Sequence, residues 1–154
     1  MEQETNIHDN LYYDERSAGG IVYKKEGDKV LFLLIKTFAS KRRKTIFKFP
    51  KGHLNKDEVL KQAAMREVEE EGRIKSKIVT KIGSNDYIIW DKLKKKKIVK
   101  KVTFFLMEYA GESNLKYYDS EVVLDRVWMK YEDALDKLAF DSERVLLKKA
   151  IGKL

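Results

Sequence analysis

The sequence predicts an α/β fold in which a mixed β-sheet is held between helices. Three observations carry that expectation. Strand-like segments come before and after one central helical segment, and two short helical segments close the chain. With 154 residues, 43% of them hydrophobic, the chain can bury a core without covalent support.

The elements follow in order. Residues 1–14 read as a loose arm or a short edge strand. Gly19-Gly20 opens a strand over Ile21–Lys25, Glu26-Gly27-Asp28 forms a hairpin turn, and Lys29–Thr37 is the partner strand. A basic loop over Phe38–Lys44 leads to a short strand, Thr45–Phe49, stopped by Pro50, the only proline. Residues 57–72, rich in Glu, Lys, Ala, Leu and Val, form a helix. Strands follow at 76–90, 98–109 and 122–130, with a basic loop at 91–97. Helices at 131–138 and 141–152 close the chain, the first opened by Tyr131-Glu132-Asp133 and the second capped by Asp141-Ser142. No repeat or linker interrupts residues 1–154, which read as one domain.

The chain has no cysteine, which excludes a disulfide framework, a thiolate metal site and a cysteine nucleophile. The first ten residues lack the basic start and apolar stretch of a signal peptide, and runs such as Val30–Ile35 are too short to span a bilayer. A cytoplasmic protein with no membrane partner is expected. Thirty-three Lys and Arg against 25 Asp and Glu give a formal charge of +8. Solvated lysine loops at 41–44 and 94–97 account for this as well as attraction to a polyanion does. Charge alone leaves both open.

The central helix is more informative. On a helical wheel, Val59, Leu60, Ala63, Ala64 and Val68 form an apolar half-cylinder that must face the core. Glu70, Glu67 and Glu71 fall inside it, at roughly 20°, 80° and 120° from Val59, and only Glu69 points out with Lys61, Gln62 and Arg66. Crowded, inward carboxylates are costly and repel one another. Such a cluster suits a hard divalent cation. A solvated last helical turn is the alternative.

The run from Gly52 to Ile74 resembles the Nudix box. Gly52, five residues, Glu58, seven residues, then Arg66-Glu67-Val68-Glu69-Glu70-Glu71-Gly72-Arg73-Ile74 match the charged and aliphatic positions of that family's pattern. One position departs: Arg73 stands where the family usually has Gly, so Gly72 is expected to end the helix one residue sooner. Ser17–Ile21, Phe49–His53 and Val127-Trp128 with the segment 131–138 extend the resemblance over residues 15–150.

The resemblance implies a Nudix fold and magnesium-dependent hydrolysis, with manganese as a possible substitute. Glu67, Glu70, Glu71 and the Gly52 carbonyl are the implied metal ligands. Glu58 and Arg66 complete the catalytic constellation, Arg66 chiefly as a structural partner of the glutamates. The family often adds a carboxylate from a later loop, for which Glu121 and Asp125 are candidates, while Asp119 equally suits a turn. Lys51 and His53 flank Gly52 and are placed to contact phosphate oxygens.

Phe49-Pro50-Lys51-Gly52-His53 resembles the segment of dinucleoside polyphosphate hydrolases, especially the diadenosine tetraphosphate type. Tyr87 and Trp90 lie where that subgroup carries a base-stacking aromatic, although they and Phe104 equally suit strand packing. No proline follows the box, against ADP-ribose, and Lys36, Lys48, Lys51, Lys100 and Lys101 favour a long polyphosphate. The expected partner is a small nucleotide, its chain held by Lys51, His53 and Lys101 and one base by Tyr87. Alternatives are a nucleoside triphosphate pyrophosphohydrolase, a hydrolase of RNA 5′ ends or inositol pyrophosphates, and a non-catalytic nucleotide-binding module. Nucleic acid is the less favoured partner.

Overall fold

The computed structural model describes residues 12–39, 44–115 and 123–154. Its elements are β1 (Tyr12–Glu26), β2 (Lys29–Phe38), β3 (Thr45–Lys48), β4 (Lys51–His53), α1 (Leu60–Gly72), β5 (Ile74–Asp91), β6 (Lys96–Glu112), β7 (Val123–Lys130), α2 (Tyr131–Lys137) and α3 (Asp141–Ile151). The sheet runs β3-β2-β1-β6-β5, with β4 paired to β1 and β7 to β2. β6 runs parallel to β1, whereas β1–β2 and β5–β6 are antiparallel, so the sheet is mixed as expected.

Both faces of the central strands are covered, which explains why β1, β2 and β6 carry continuous apolar runs. Ile21, Tyr23, Phe32, Leu34, Phe104 and Leu106 pack on one face against Leu138, Leu146, Leu147 and Ala150 of the C-terminal segments. Val22, Leu33, Phe105 and Met107 pack on the other against Ala63, Ala64 and Val68 of α1. We call these the α3 face and the α1 face. Shortening a fully buried residue such as Leu33 to Ala costs about 2–5 kcal/mol.

Several boundaries differ from the sequence expectation. Of the loose arm or short edge strand expected over residues 1–14, Tyr12 to Asp14 are instead the start of the long interior strand β1 and pair with Lys97 to Val99. The first hairpin turn is Gly27-Asp28 alone, since Glu26 already pairs with Lys29. α1 starts at Leu60, after a turn in which Asp57 has φ 64°. Val59 is the extended N-cap residue, held by its N–H to Gln62 Oε1 at 3.2 Å, and its side chain is exposed instead of joining the apolar stripe.

At the other end of α1 Arg73, not Gly72, takes the left-handed position (φ 57°, ψ 34°) and donates its N–H to Glu69 O. Gly72 stays in the helix, where a Cβ would come within 2.9 Å of Leu33. Close packing against Leu33 therefore favours glycine at 72, and Arg73 takes the left-handed position at some backbone cost. α3 is preceded by Phe140 with no side-chain cap, so Asp141-Ser142 is not its cap; Asp141 instead pairs with Arg144 at 2.6 Å.

Candidate active site

α1 presents its carboxylates toward β4. Glu67 and Glu71 are 2% exposed, and Glu70 keeps about a quarter of its side chain in solvent. Arg66 organises them. Its Nε and Nη2 donate to the two oxygens of Glu58 at 2.7 and 2.9 Å. Nη1 donates to Glu67 at 2.8 Å and Glu70 at 3.2 Å, and Nη2 also reaches the His53 carbonyl at 2.9 Å. One guanidinium thus offsets three carboxylates and ties the helix to the end of β4. Its hydrogen bonds, with that of the Asn55 N–H, hold Glu58 below the usual carboxylate range. Hydrogen bonds to Glu58, and then to Glu67, push the Arg66 pKa up.

Gly52 explains the glycine of the motif. It pairs with Ala18, which belongs to the α1-face core, and a Cβ there would collide with the Glu67 carboxylate. Only glycine lets this backbone lie against that acid. The neighbouring Lys51 N–H donates to Glu71 Oε1 at 2.9 Å. Among the described residues, no three His, Asp or Glu side chains already converge as a metal-ligand set. Arg66 spans Glu67 and Glu70, while Lys51 engages Glu71. The donors are nonetheless hard oxygens around a close-lying glycine backbone, which fits a divalent cation of the magnesium type.

Glu69, expected in solvent, is half-buried and accepts from Ser113 Oγ at 2.7 Å. Glu121 and Asp119 lie outside the described residues. Asp125 pairs with Lys36, whereas the adjacent Arg126 reaches the Glu71 carbonyl at 2.7 Å. Alternation therefore turns Asp125 away from α1, and the structure does not bring it to the glutamates.

The α3 face carries the other candidates. Gly83, Phe104, Gly19 and Lys51 are in register across β5, β6, β1 and β4; Asn85, Val102, Ser17 and His53 form the next row; Tyr87, Lys100 and Glu15 form the third. His53 Nδ1 lies 3.4 Å from Ser17 Oγ, and Lys100 pairs with Glu15 at 3.4 Å. The Tyr87 hydroxyl is 3.5 Å from Ser142 Oγ of α3, and the residue is 38% exposed. Lys51, His53 and Tyr87 thus share one face.

Lys101 does not join them. Its register partners are Arg16 and Asp86, on the α1 face, because side chains alternate along β6. Lys100 occupies the place expected for it. Trp90 also turns to the α1 face, and Phe104 is core, packed edge-on against Phe49 at 6.1 Å. Sequence reasoning missed Ser17, Ser142 and Glu143. The last was legible: Glu143, Leu146, Leu147 and Ala150 form a buried helical stripe containing one acid.

A Gly-backed carboxylate cluster on a helix packed against a mixed sheet defines the class of α/β domain to which this chain belongs. The chain belongs to the Nudix family: the NUDIX domain model matches residues 14–149. It is 32% identical over 139 residues to a Mycobacterium tuberculosis protein carrying the name mutator protein MutT4, covering 88% of this chain and 54% of that one. The chain therefore spans about half the length of that curated relative. The crystal structure of a C. elegans Ap4A hydrolase superposes with a TM-score of 0.65 at 25% identity, over 92% of this chain and 98% of the other. The NUDIX domain of Shewanella oneidensis NrtR, complexed with ADP ribose, shares the fold with a TM-score of 0.68 at 18% identity, over 99% and 98%. Nudix hydrolases generally use divalent metal ions. Among the described residues no helix is long and apolar enough to cross a membrane.

Proposed function

We propose that the protein hydrolyses a phosphoanhydride bond in nucleoside polyphosphates with magnesium or manganese, and that dinucleoside polyphosphates are its preferred class. One observation carries the reading: Gly52 lies directly against Glu67, inside a set of box glutamates that Arg66 holds together. Glu67, Glu70, Glu71 and the Gly52 carbonyl would hold the cation. When bound, it neutralises phosphate oxygens and acidifies the attacking water. Arg66 and Glu58 keep the helix and the β4 end in register. Glu70, the most exposed of the three ligands, is within reach of solvent to take the proton of that water.

Lys51 and His53 bind the phosphate chain at the β4 edge, and Lys100 extends that positive track on the α3 face. Tyr87 offers its ring to a base. The 25% identity to an Ap4A hydrolase supports this choice of substrate. The relative named as a mutator protein favours a second reading, pyrophosphohydrolysis of single nucleoside triphosphates.

Cleavage of a panel of substrates, with the products separated by chromatography, tests both. Diadenosine tetraphosphate, nucleoside triphosphates, ADP-ribose, triphosphorylated RNA and an inositol pyrophosphate are compared with magnesium and with chelator. The first should give the highest kcat/KM. Preference for single triphosphates replaces the first reading with the second, and no metal-dependent cleavage of any of them overturns both.

A further inference from the structure

Phe49 and Lys51 flank Pro50, which has no N–H to donate, so theirs are the two amides that can fix this segment between β3 and β4. Both are donated to carboxylates. Lys51 N donates to Glu71 Oε1 at 2.9 Å, from the α1 side. Phe49 N donates to Glu143 Oε1 at 3.1 Å, from α3 on the opposite side. The carbonyl between them, Pro50 O, accepts from Gly20 N at 3.1 Å.

Glu143 is 1% exposed, on a helical stripe otherwise made of Leu146, Leu147 and Ala150. Burying a carboxylate there costs more than burying leucine, so packing alone does not account for it. The Phe49 side chain is also fully buried, anchoring the residue apart from its amide. What the amide contact adds is control over the peptide planes that follow.

We propose that Glu143 is a positioning residue for the site: with Glu71 it clamps the Phe49–Lys51 backbone from opposite faces of the sheet and so aims the Lys51 side chain and the Gly52 carbonyl. The inference rests on the reading of Lys51 and Gly52 as site residues. It makes the C-terminal helix, remote in sequence from the box, part of the machinery that orients substrate.

The test compares Glu143→Leu, which removes the acceptor at similar volume, with Glu143→Gln, which keeps an oxygen acceptor without the charge. Amide hydrogen exchange on the metal-free full chain is the first readout and needs no substrate. In Glu143→Leu, exchange at Lys51 as well as Phe49 should quicken by about tenfold or more while β1 and β6 core amides keep their rates. In the turnover assay its kcat should fall by about tenfold. Glu143→Gln should restore both to near wild-type values. Should Glu143→Leu not fold, Glu143→Asp, one methylene too short to reach the amide, is expected to show the same losses. Unchanged Lys51 exchange in the acceptor-deficient variant overturns the proposal. So does a Gln variant as impaired as the Leu variant. If no nucleotide is turned over but Lys51 exchange quickens, the proposed function fails while the clamp stands.

Discussion

Tyr87 and Lys101 lie on opposite faces of the sheet. Tyr87 pairs with Lys100 and points toward Ser142 of α3, whereas Lys101 pairs with Asp86 and Arg16 on the α1 face. A substrate that stacks a base on Tyr87 therefore meets Lys100, Lys51 and His53, not Lys101.

Tyr87→Ala should accordingly raise KM for a dinucleoside polyphosphate, with a loss of about 1–3 kcal/mol from the removed stacking surface. Lys100→Ala should weaken binding in the same direction and Lys101→Ala should do less. Steady-state kinetics of the three variants decides it. A silent Tyr87→Ala beside a strong Lys101→Ala effect would put the base on the α1 face.

Glu70→Gln should abolish turnover while leaving the fold intact. Glu70 is partly exposed and shares Arg66 at the i, i+4 spacing, a pair worth a few tenths of a kcal/mol, so metal-free stability should change by less than about 1 kcal/mol. Wild type should melt at higher temperature in millimolar magnesium, since a ligand at a hundred times its Kd adds ~2.7 kcal/mol, and the variant should lose most of that shift. More than about a tenth of wild-type kcat in Glu70→Gln speaks against the ligand role.

Arg66→Met should be the most destabilising change in the box. It removes the guanidinium from Glu58 and from nearly inaccessible Glu67, and removing one side of a buried ion pair costs about 3–5 kcal/mol. Because a bound cation replaces part of the lost positive charge, magnesium should raise the melting temperature of this variant more than that of wild type. Equal shifts would show that Arg66 and the metal do not share the carboxylates.

Glu143 should make stability depend on pH. Burial pushes its carboxyl up to about 7, against the pull of the Phe49 N–H and the charges of Lys51 and Lys48; its ordinary value is 4.5. The folded chain then holds this proton more tightly than the unfolded one. The stabilisation is complete below about pH 4.5 and is lost as pH rises through about 7, a span of about 3 kcal/mol. Denaturant melts at about pH 5 and pH 8 should show wild type losing stability relative to Glu143→Gln over that window. Parallel curves would show that Glu143 keeps one protonation state throughout.

The order of elements pointed to a mixed sheet, while the amphipathic helix with acids in its apolar half and the Gly52–Glu58–Arg66–Glu67 spacing were legible directly. These are local facts: helical and strand periodicity place side chains on faces before any tertiary contact is known. The remainder came from packing between elements. That position 72 holds a glycine inside the helix reflects Leu33, a residue of β2 packed against that helix end. Which lysine faces Tyr87 depends on the register between β5 and β6, where a slip of one residue exchanges Lys100 for Lys101. That Glu143 meets Phe49, 94 positions apart in sequence, follows from α3 packing across the sheet. Alternation and wheel patterns fix a residue's face within its own element, but only the packed fold fixes which other element that face meets.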